Sequence, residues 1–466
     1  MKISRLAWRS GLAAWALAYA LQAFAQASAL SPVDDMAAHP ERLSAQFWVR
    51  RLERPDQLMM DASAIAEQNR RLFAQDRTMH DLSRMPAILD GVQVRQWIEQ
   101  RSVRPTGPLY DRQGRVIDEA HRDAWMTSLA LDRIPTSQVT RYGLVVHRAS
   151  LRSFPTDERV FRRQGDTDID RFQETAEFPG TPVVIVHTSG DGQWLFVLSA
   201  RYAAWVHKAD IAEGSADEVL GYGRASDARV ITAAVAHTVF TPEQPALSRL
   251  GLDMGIRLPL DPRPPSMVNG QASYTSHVLR LPVRDAQGRV RFADALLPRN
   301  EDTAPDYLSL TPVHVIDQAF KFLGERYGWG HDYDARDCSG FVSEVYRSMG
   351  VQLPRNTGDQ GSSPALHVQA FTAADSHEAR LRAIDSLDVG DLIYIPGHVM
   401  MIIGRINGKP YVIHDTAGAS YRDAGGQVRR VALNGVSVTA FLPLLSDDGT
   451  PYVDRMTDVV RMRAAP

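Results

Sequence analysis

Between Thr311 and Ile413 the hydrophobic period of the chain changes once, from helical to strand-like, and this change constrains the fold more than any other feature. Thr311 followed by Pro312 has the form of a helix start, and Val313, Ile316, Phe320 and Leu323 recur at helical spacing until Gly324 and Gly328. A second helix is expected to begin at or just after Cys338, with Phe341, Val342, Val345, Tyr346 and Met349 on its apolar face and Gly350 closing it. Beyond a polar stretch, residues 391–395, 399–406 and 410–413 read as strands, the last two joined by a tight Asn407-Gly408 turn. Helices followed by an antiparallel sheet predict an α+β domain, assigned here to residues 303–446, with 447–466 as a C-terminal tail.

The chain has 466 residues, too many for one core, and its upstream texture differs. Residues 32–135 are expected to be a helical and irregular segment, with Ile65, Leu72 and Phe73 on one amphipathic stretch and Val94, Trp97 and Ile98 on another. Around Tyr142 the pattern turns to short apolar runs, with Gly190-Asp191-Gly192 as a hairpin signal, which predicts a small all-β barrel over 136–214. Similar runs, broken by an Ala286-Gln287-Gly288 turn, predict a second over 222–302, with Pro262-Arg263-Pro264-Pro265 as an internal loop or linker. The two could be diverged copies of one unit.

At the N-terminus, Lys2, Arg5 and Arg9 precede an apolar run over residues 11–21 and then small residues at Ala23, Ala25, Ala27 and Ala29. This reads as a signal peptide over 1–27. Gln22 and Gln26 cut the run short of the roughly 20 apolar residues that a span needs, so no stable membrane insertion is expected. No cysteine follows that could carry a lipid, and the expected location is the periplasm, after secretion across the inner membrane. The 52 basic and 55 acidic residues form no single-sign block, which argues against nucleic acid as a partner. Nothing in the sequence points to a protein partner.

Cys338 is the only cysteine, so it can form no internal disulfide, and one thiol is too few for a thiolate metal site; no metal or other cofactor is expected. The string Asp337-Cys338-Ser339-Gly340 puts it at a helix start, where a thiol pKa is lowered. A nucleophile also needs a base and a group that fixes the base's tautomer, and His398 and His414 are candidates for both roles. A two-residue turn at Asn407-Gly408 would set His398 opposite Ala417, three positions beyond His414. A bulge or a longer turn is needed to bring the pair together.

Arg326-Tyr327-Gly328-Trp329-Gly330, Asp337-Cys338-Ser339-Gly340-Phe341, Leu353-Pro354-Arg355, Gly390-Asp391, Gly397-His398-Val399 and His414, in that order and spacing, resemble the NlpC-type cell-wall peptidases. These are papain-like enzymes with a Cys-His-His triad, and the likeness covers about residues 311–445. The resemblance implies Cys338 as nucleophile, His398 as base and His414 as third member, with Tyr327, Asp337 and Ser339 as oxyanion and substrate-binding residues. Asp337 would pair with the free amine of the substrate's L-alanine, or else serve only as a helix cap. Upstream, residues 146–152 and 178–182 with Trp205-Val206 are similar to the bacterial SH3-like modules of relatives that also carry an N-terminal stabilising segment. The activity implied for that group is cleavage of murein stem peptides between γ-D-glutamate and a diamino acid, commonly meso-diaminopimelate. His331 departs from the family pattern, where a glycine is common, and is expected to narrow the nearby pocket. Arg355 is expected to brace a loop, and Trp194, Tyr202 and Trp205 to fill the barrel core. Two alternatives stand beside the peptidase: a non-catalytic wall-binding protein, and a cysteine-dependent acyltransferase or amidase using the same triad.

Overall fold

The structure is a computed structural model and describes residues 31–464; the expected signal peptide lies outside the described residues. The N-terminal segment is largely helical: α1 (Pro32–Ala38), α2 (Ala45–Val49), α3 (Ala62–Gln75), α4 (Gly91–Arg101) and α5 (Glu119–Ser128). Asp61, Asp90 and Asp118 cap the last three, each carboxylate accepting a first-turn N–H that the helix leaves unpaired. The segment divides its apolar residues between two neighbours. Trp48, Met60 and Ile65 join the core of the C-terminal domain. Val94, Ile98 and Trp125 join that of the first β module. It therefore straps one to the other.

In the first β module, β1 (Arg141–Val145), β2 (Ala149–Arg152), β3 (Gln173–Glu177), β4 (Pro182–Thr188), β5 (Trp194–Leu198), β6 (Ala203–His207) and β7 (Ile211–Gly214) make one antiparallel sheet ordered β3-β2-β6-β5-β4-β1-β7. Trp194 and Trp205 are buried in its core. The second module is divided differently. β8 (Ala228–Ile231) and β9 (Arg257–Pro259) lie in a three-stranded sheet, while β10 (Ser276–Arg284) and β11 (Val290–Pro298) form a long ribbon around the 286–288 turn. Leu144, Phe178 and Ala212 of the first module share one apolar cluster with Leu258, Leu279 and Leu297 of the second. The modules are thus fused rather than strung on a linker.

In the C-terminal domain, α6 (Pro312–Phe320) is capped by Thr311, whose Oγ1 accepts from the His314 amide at 3.4 Å. It buries Val315, Ile316 and Ala319, a face rotated from the one expected, with Val313 half-exposed. In α7 (Cys338–Arg347), Phe341, Val342, Val345 and Tyr346 are buried as their period predicts. The sheet comprises β12 (His367–Ala370), β13 (Leu392–Ile395), β14 (His398–Ile406), β15 (Lys409–Thr416), β16 (Gly435–Ala440) and β17 (Asp458–Arg461) in the order β12-β17-β13-β14-β15-β16. Val399, Met401, Ile403 and Ile413 face α7, and Met400, Ile402 and Val412 build a separate core on the other side. Residues 447–466 are more than the expected tail, since β17 pairs with both β12 and β13 inside the sheet. A four-residue strand shows too little period to be read locally.

Candidate active site

Cys338 opens α7, and the Asp337 carboxylate caps the helix by accepting the Gly340 amide at 2.8 Å. The thiol lies 3.9 Å from the Gly397 carbonyl oxygen, beside the start of β14. Burial, with the adjacent Asp337 charge, pushes the thiol pKa up to about 12, against the pull of the Val399 backbone N–H. The lowering expected from the helix start is therefore outweighed by desolvation. The resting group is a neutral thiol.

The two histidines come together through an irregularity in the β14–β15 hairpin. Pairing runs from Ile406↔Lys409 to Gly404↔Tyr411, then shifts, so that Ile402 pairs with Val412 and Met401 with Ile413. Gly404 sits at the shift with φ +150, and a Cβ there would meet the Trp48 ring at 2.9 Å. Carried to the strand start, the shifted register sets His398 opposite Thr416, two positions from His414 instead of three. An odd offset would put the side chains on opposite faces of the sheet, whereas an even one puts them on the same face. His398 Nε2 lies 2.8 Å from His414 Nδ1, and His414 Nε2 lies 3.0 Å from Thr439 Oγ1 on β16. The tautomers assigned from this chain have His398 Nε2–H donating to His414 and His414 Nε2–H donating to Thr439, which leaves His398 Nδ1 free to take a proton. Burial pushes the His398 pKa down to about 4. Burial, with the His398 imidazole beside it, holds His414 well below the ordinary histidine value. Both imidazoles are neutral near pH 7.

Beside the thiol lies a buried polar knot. Arg355 donates to both Asp337 oxygens at 3.2 and 2.8 Å, to Ser339 Oγ at 2.9 Å and to Thr175 Oγ1 of β3 at 2.6 Å. Asp337 also accepts the Gly330 amide and the Ser339 hydroxyl, so its two oxygens take five donors from the protein. Burial opposes its charge, yet the Arg355 guanidinium prevails and lowers its pKa to about 2. Of its two expected roles, the cap is filled and the carboxylate is already engaged. Ser339 is bound into the same knot. His331 fills no pocket: with φ +64 it lies buried against α7, Nε2 3.0 Å from Glu344 Oε1 and Nδ1 3.0 Å from Arg355 Nη2. Its ring occupies the space that Gly340 leaves open, where a Cβ would meet Cε1 at 2.5 Å. Tyr327 is buried near the thiol, and burial with the Cys338 charge raises its pKa far above the ordinary value, so it stays a neutral O–H donor.

The first β module borders this site. Gln173 of β3 accepts from the Trp329 indole through its carbonyl at 3.0 Å and donates to the Gly330 carbonyl at 2.8 Å. Next to them the Tyr202 hydroxyl donates to Glu174, so Tyr202 turns its polar end outward instead of serving the core alone. Thr439, Thr175 and Gln173 escaped the sequence reading because each acts across strands distant in the chain. Only the register reveals them.

Residues 324–430 match the NlpC/P60 family, and residues 159–207 match an SH3 domain of the SH3b1 type. The chain is 33% identical over 121 residues to the probable endopeptidase p60 of Listeria seeligeri, covering 24% of this chain and 22% of the relative's length. It is 31% identical over 121 residues to the protein of that name from Listeria monocytogenes, covering 24% and 23%. The chain thus spans less than a quarter of the length of these curated relatives. Among solved structures, an NlpC/P60 endopeptidase from Photobacterium damselae subsp. piscicida superposes with a TM-score of 0.71 at 16% identity, over 94% of this chain and 98% of that one. That likeness establishes a common fold along nearly the whole chain.

Proposed function

From the premise that this chain carries an NlpC/P60 domain behind an SH3 domain of the SH3b1 type, we propose that it is an exported cysteine endopeptidase. Its proposed substrate is the γ-D-glutamyl–diamino acid bond of peptidoglycan stem peptides. The observation that carries this reading is the hydrogen-bonded pair His398–His414, with the sulfur of Cys338, at a buried helix start, 3.9 Å from the carbonyl oxygen of Gly397, the residue before His398. Cys338 attacks the carbonyl as His398 Nδ1 takes its proton, and the imidazolium is steadied by His414, itself held by Thr439. With a neutral thiol and a neutral imidazole at rest, proton transfer accompanies attack instead of preceding it. Tyr327 donates to the developing oxyanion. The same proton then goes to the leaving amine, and water releases the acyl group from sulfur.

Substrate choice follows from the border with β3. Gln173 and Thr175 are hydrogen-bonded to the loop beginning at Trp329 and to Arg355 beside the nucleophile, and a wall at that border would favour short fragments with a free L-alanine amine over chains capped by muramic acid. Asp337, already neutralised by Arg355, attracts that amine less than a free carboxylate would, and Glu174 nearby is itself paired with Arg101 at 2.8 Å. The test compares free and N-acetylated L-Ala-γ-D-Glu-diaminopimelate by mass spectrometry and steady-state kinetics. Equal kcat/KM would remove the amine preference and leave the cysteine chemistry standing. Binding of murein without cleavage would favour the wall-binding reading instead, and transfer of the acyl group to an added amine would favour the acyltransferase.

A further inference from the structure

Asp415 is fully buried, and neither of its carboxyl oxygens takes a hydrogen bond; the Thr416 amide leans toward it without reaching hydrogen-bond geometry. Its place follows from register. Asp415 pairs with Val436 on β16, and the shifted β14–β15 register sets Val399 on its other side. Val399, Asp415 and Val436 thus form one row across three strands on the face that carries α7. Cross-strand neighbours in such a row stand about 5 Å apart. Val399 and Val436 belong to the apolar cluster that holds Cys338, and the Val399 amide points at the sulfur. Asp415 is the polar member of this otherwise apolar row, on the sheet face that packs against α7, the helix that Cys338 opens.

A carboxylate in that position would need a counter-ion. The charges of Asp337, Glu325 and Arg336 reach Asp415, and a charge on Asp415 would in turn reach Cys338 and Tyr327. Arg336 is the cation among them, and its five N–H groups already serve Glu344, Glu325, Asp253 and the carbonyls of Asp334 and Ala234. Arg355, bound to Asp337, Ser339, Thr175 and His331, has none to spare either. Burial, reinforced by the neighbouring acids, pushes the Asp415 pKa well above its ordinary value. A neutral carboxyl group carries one O–H donor, and here that donor has no acceptor in the resting enzyme.

We infer that Asp415 is a neutral hydrogen-bond donor beneath Cys338 that stabilises the thiolate formed when His398 takes the thiol proton. It rests on the reading of Cys338 as nucleophile and deepens it. The proton balance is simple: His398 gains the thiol's proton, Asp415 keeps its own and shares it with sulfur, and both are restored at turnover. A donor arranged in advance toward charge that appears only during reaction contributes where ground-state contacts do not.

The experiment measures the pH dependence of Cys338 alkylation by iodoacetamide in the full chain, for wild type, Asp415→Asn and Asp415→Leu, with thermal melts to check folding. Asn keeps a donor but cannot ionise, so its alkylation profile and kcat/KM are expected within about threefold of wild type. Leu removes the donor, and alkylation at fixed pH is expected to slow by about tenfold, with a thiol pKa higher by about one unit. Faster alkylation in both variants would mean that Asp415 is an anion, and an unchanged profile in Asp415→Leu would mean that it does not act on the sulfur; either overturns the inference. If Asp415→Leu fails to fold, Asp415→Asn still decides between donor and anion by the sign of its effect. Should alkylated wild-type protein go on hydrolysing peptide, the nucleophile assignment fails while the measured effect of Asp415 on the thiol stands.

Discussion

Thr439→Val tests the chain that orients the base with least disturbance, because valine keeps the shape and removes only the hydroxyl. Thr439 is 1% exposed and His414 is fully buried, so the lost 3.0 Å bond leaves the His414 N–H with no partner and no water to replace it. Leaving a buried donor unsatisfied costs about 1–3 kcal/mol, which sets the expected loss of stability. At about 1.4 kcal/mol per decade, up to roughly 100-fold in rate is available, but only the share felt as misorientation of His398 appears in kcat. A fall of about 3- to 10-fold is therefore expected, with KM nearly unchanged. His414→Gln should cost more, about 10- to 100-fold, and His398→Gln most, about 100- to 10,000-fold, since only the last removes the proton acceptor. The assay is steady-state hydrolysis of L-Ala-γ-D-Glu-diaminopimelate alongside thermal denaturation. If Thr439→Val lowers stability but leaves kcat untouched, the bond holds the sheet and not the base. If His414→Gln is worse than His398→Gln, their roles are exchanged.

Cys338→Ala is expected to abolish hydrolysis while costing on the order of 1 kcal/mol in stability; turnover comparable to wild type by the folded variant refutes the mechanism. The acid limb of kcat/KM should lie well below the ordinary histidine value of 6.5, toward the figure of about 4 to which burial lowers His398, and a limb near 6.5 contradicts a buried neutral base. Arg355→Met should destabilise the protein by about 3–5 kcal/mol, because it leaves the Asp337 carboxylate buried without its cation. The Asp337 pKa is depressed, so its contribution to stability is present above the unfolded value and is lost as pH falls toward about 2. Urea titrations between about pH 5 and 2 should show that dependence weakened in Arg355→Met, and an unchanged slope would separate Arg355 from the charge of Asp337.

Local chemistry is enough to place Cys338 at a helix start, because the apolar period of Phe341, Val342, Val345 and Tyr346 and the capping ability of Asp337 lie within ten residues of one another. The same holds for the order of helices, strands and turns, and for His398 and His414 as candidates near strand ends. What the sequence left open depended on register and burial. Whether the two histidines share a face turns on one residue of shift between Ile402 and Gly404, permitted by a glycine pressed against Trp48, more than 350 residues earlier in the chain. Desolvation reversed the expected direction of the thiol pKa, since a helix start acts over one turn whereas burial sums over every neighbour. Asp337, as a substrate-binding or a capping residue, and Ser339 were open in the sequence until Arg355, itself held by Thr175, closed on them from another element. Asp415 reads as one more acid after a histidine, and only tertiary packing, by supplying its neighbours no free donor, makes it a neutral group under the sulfur. Period and capping are properties of consecutive residues, while the partner of a buried polar group is chosen by the fold.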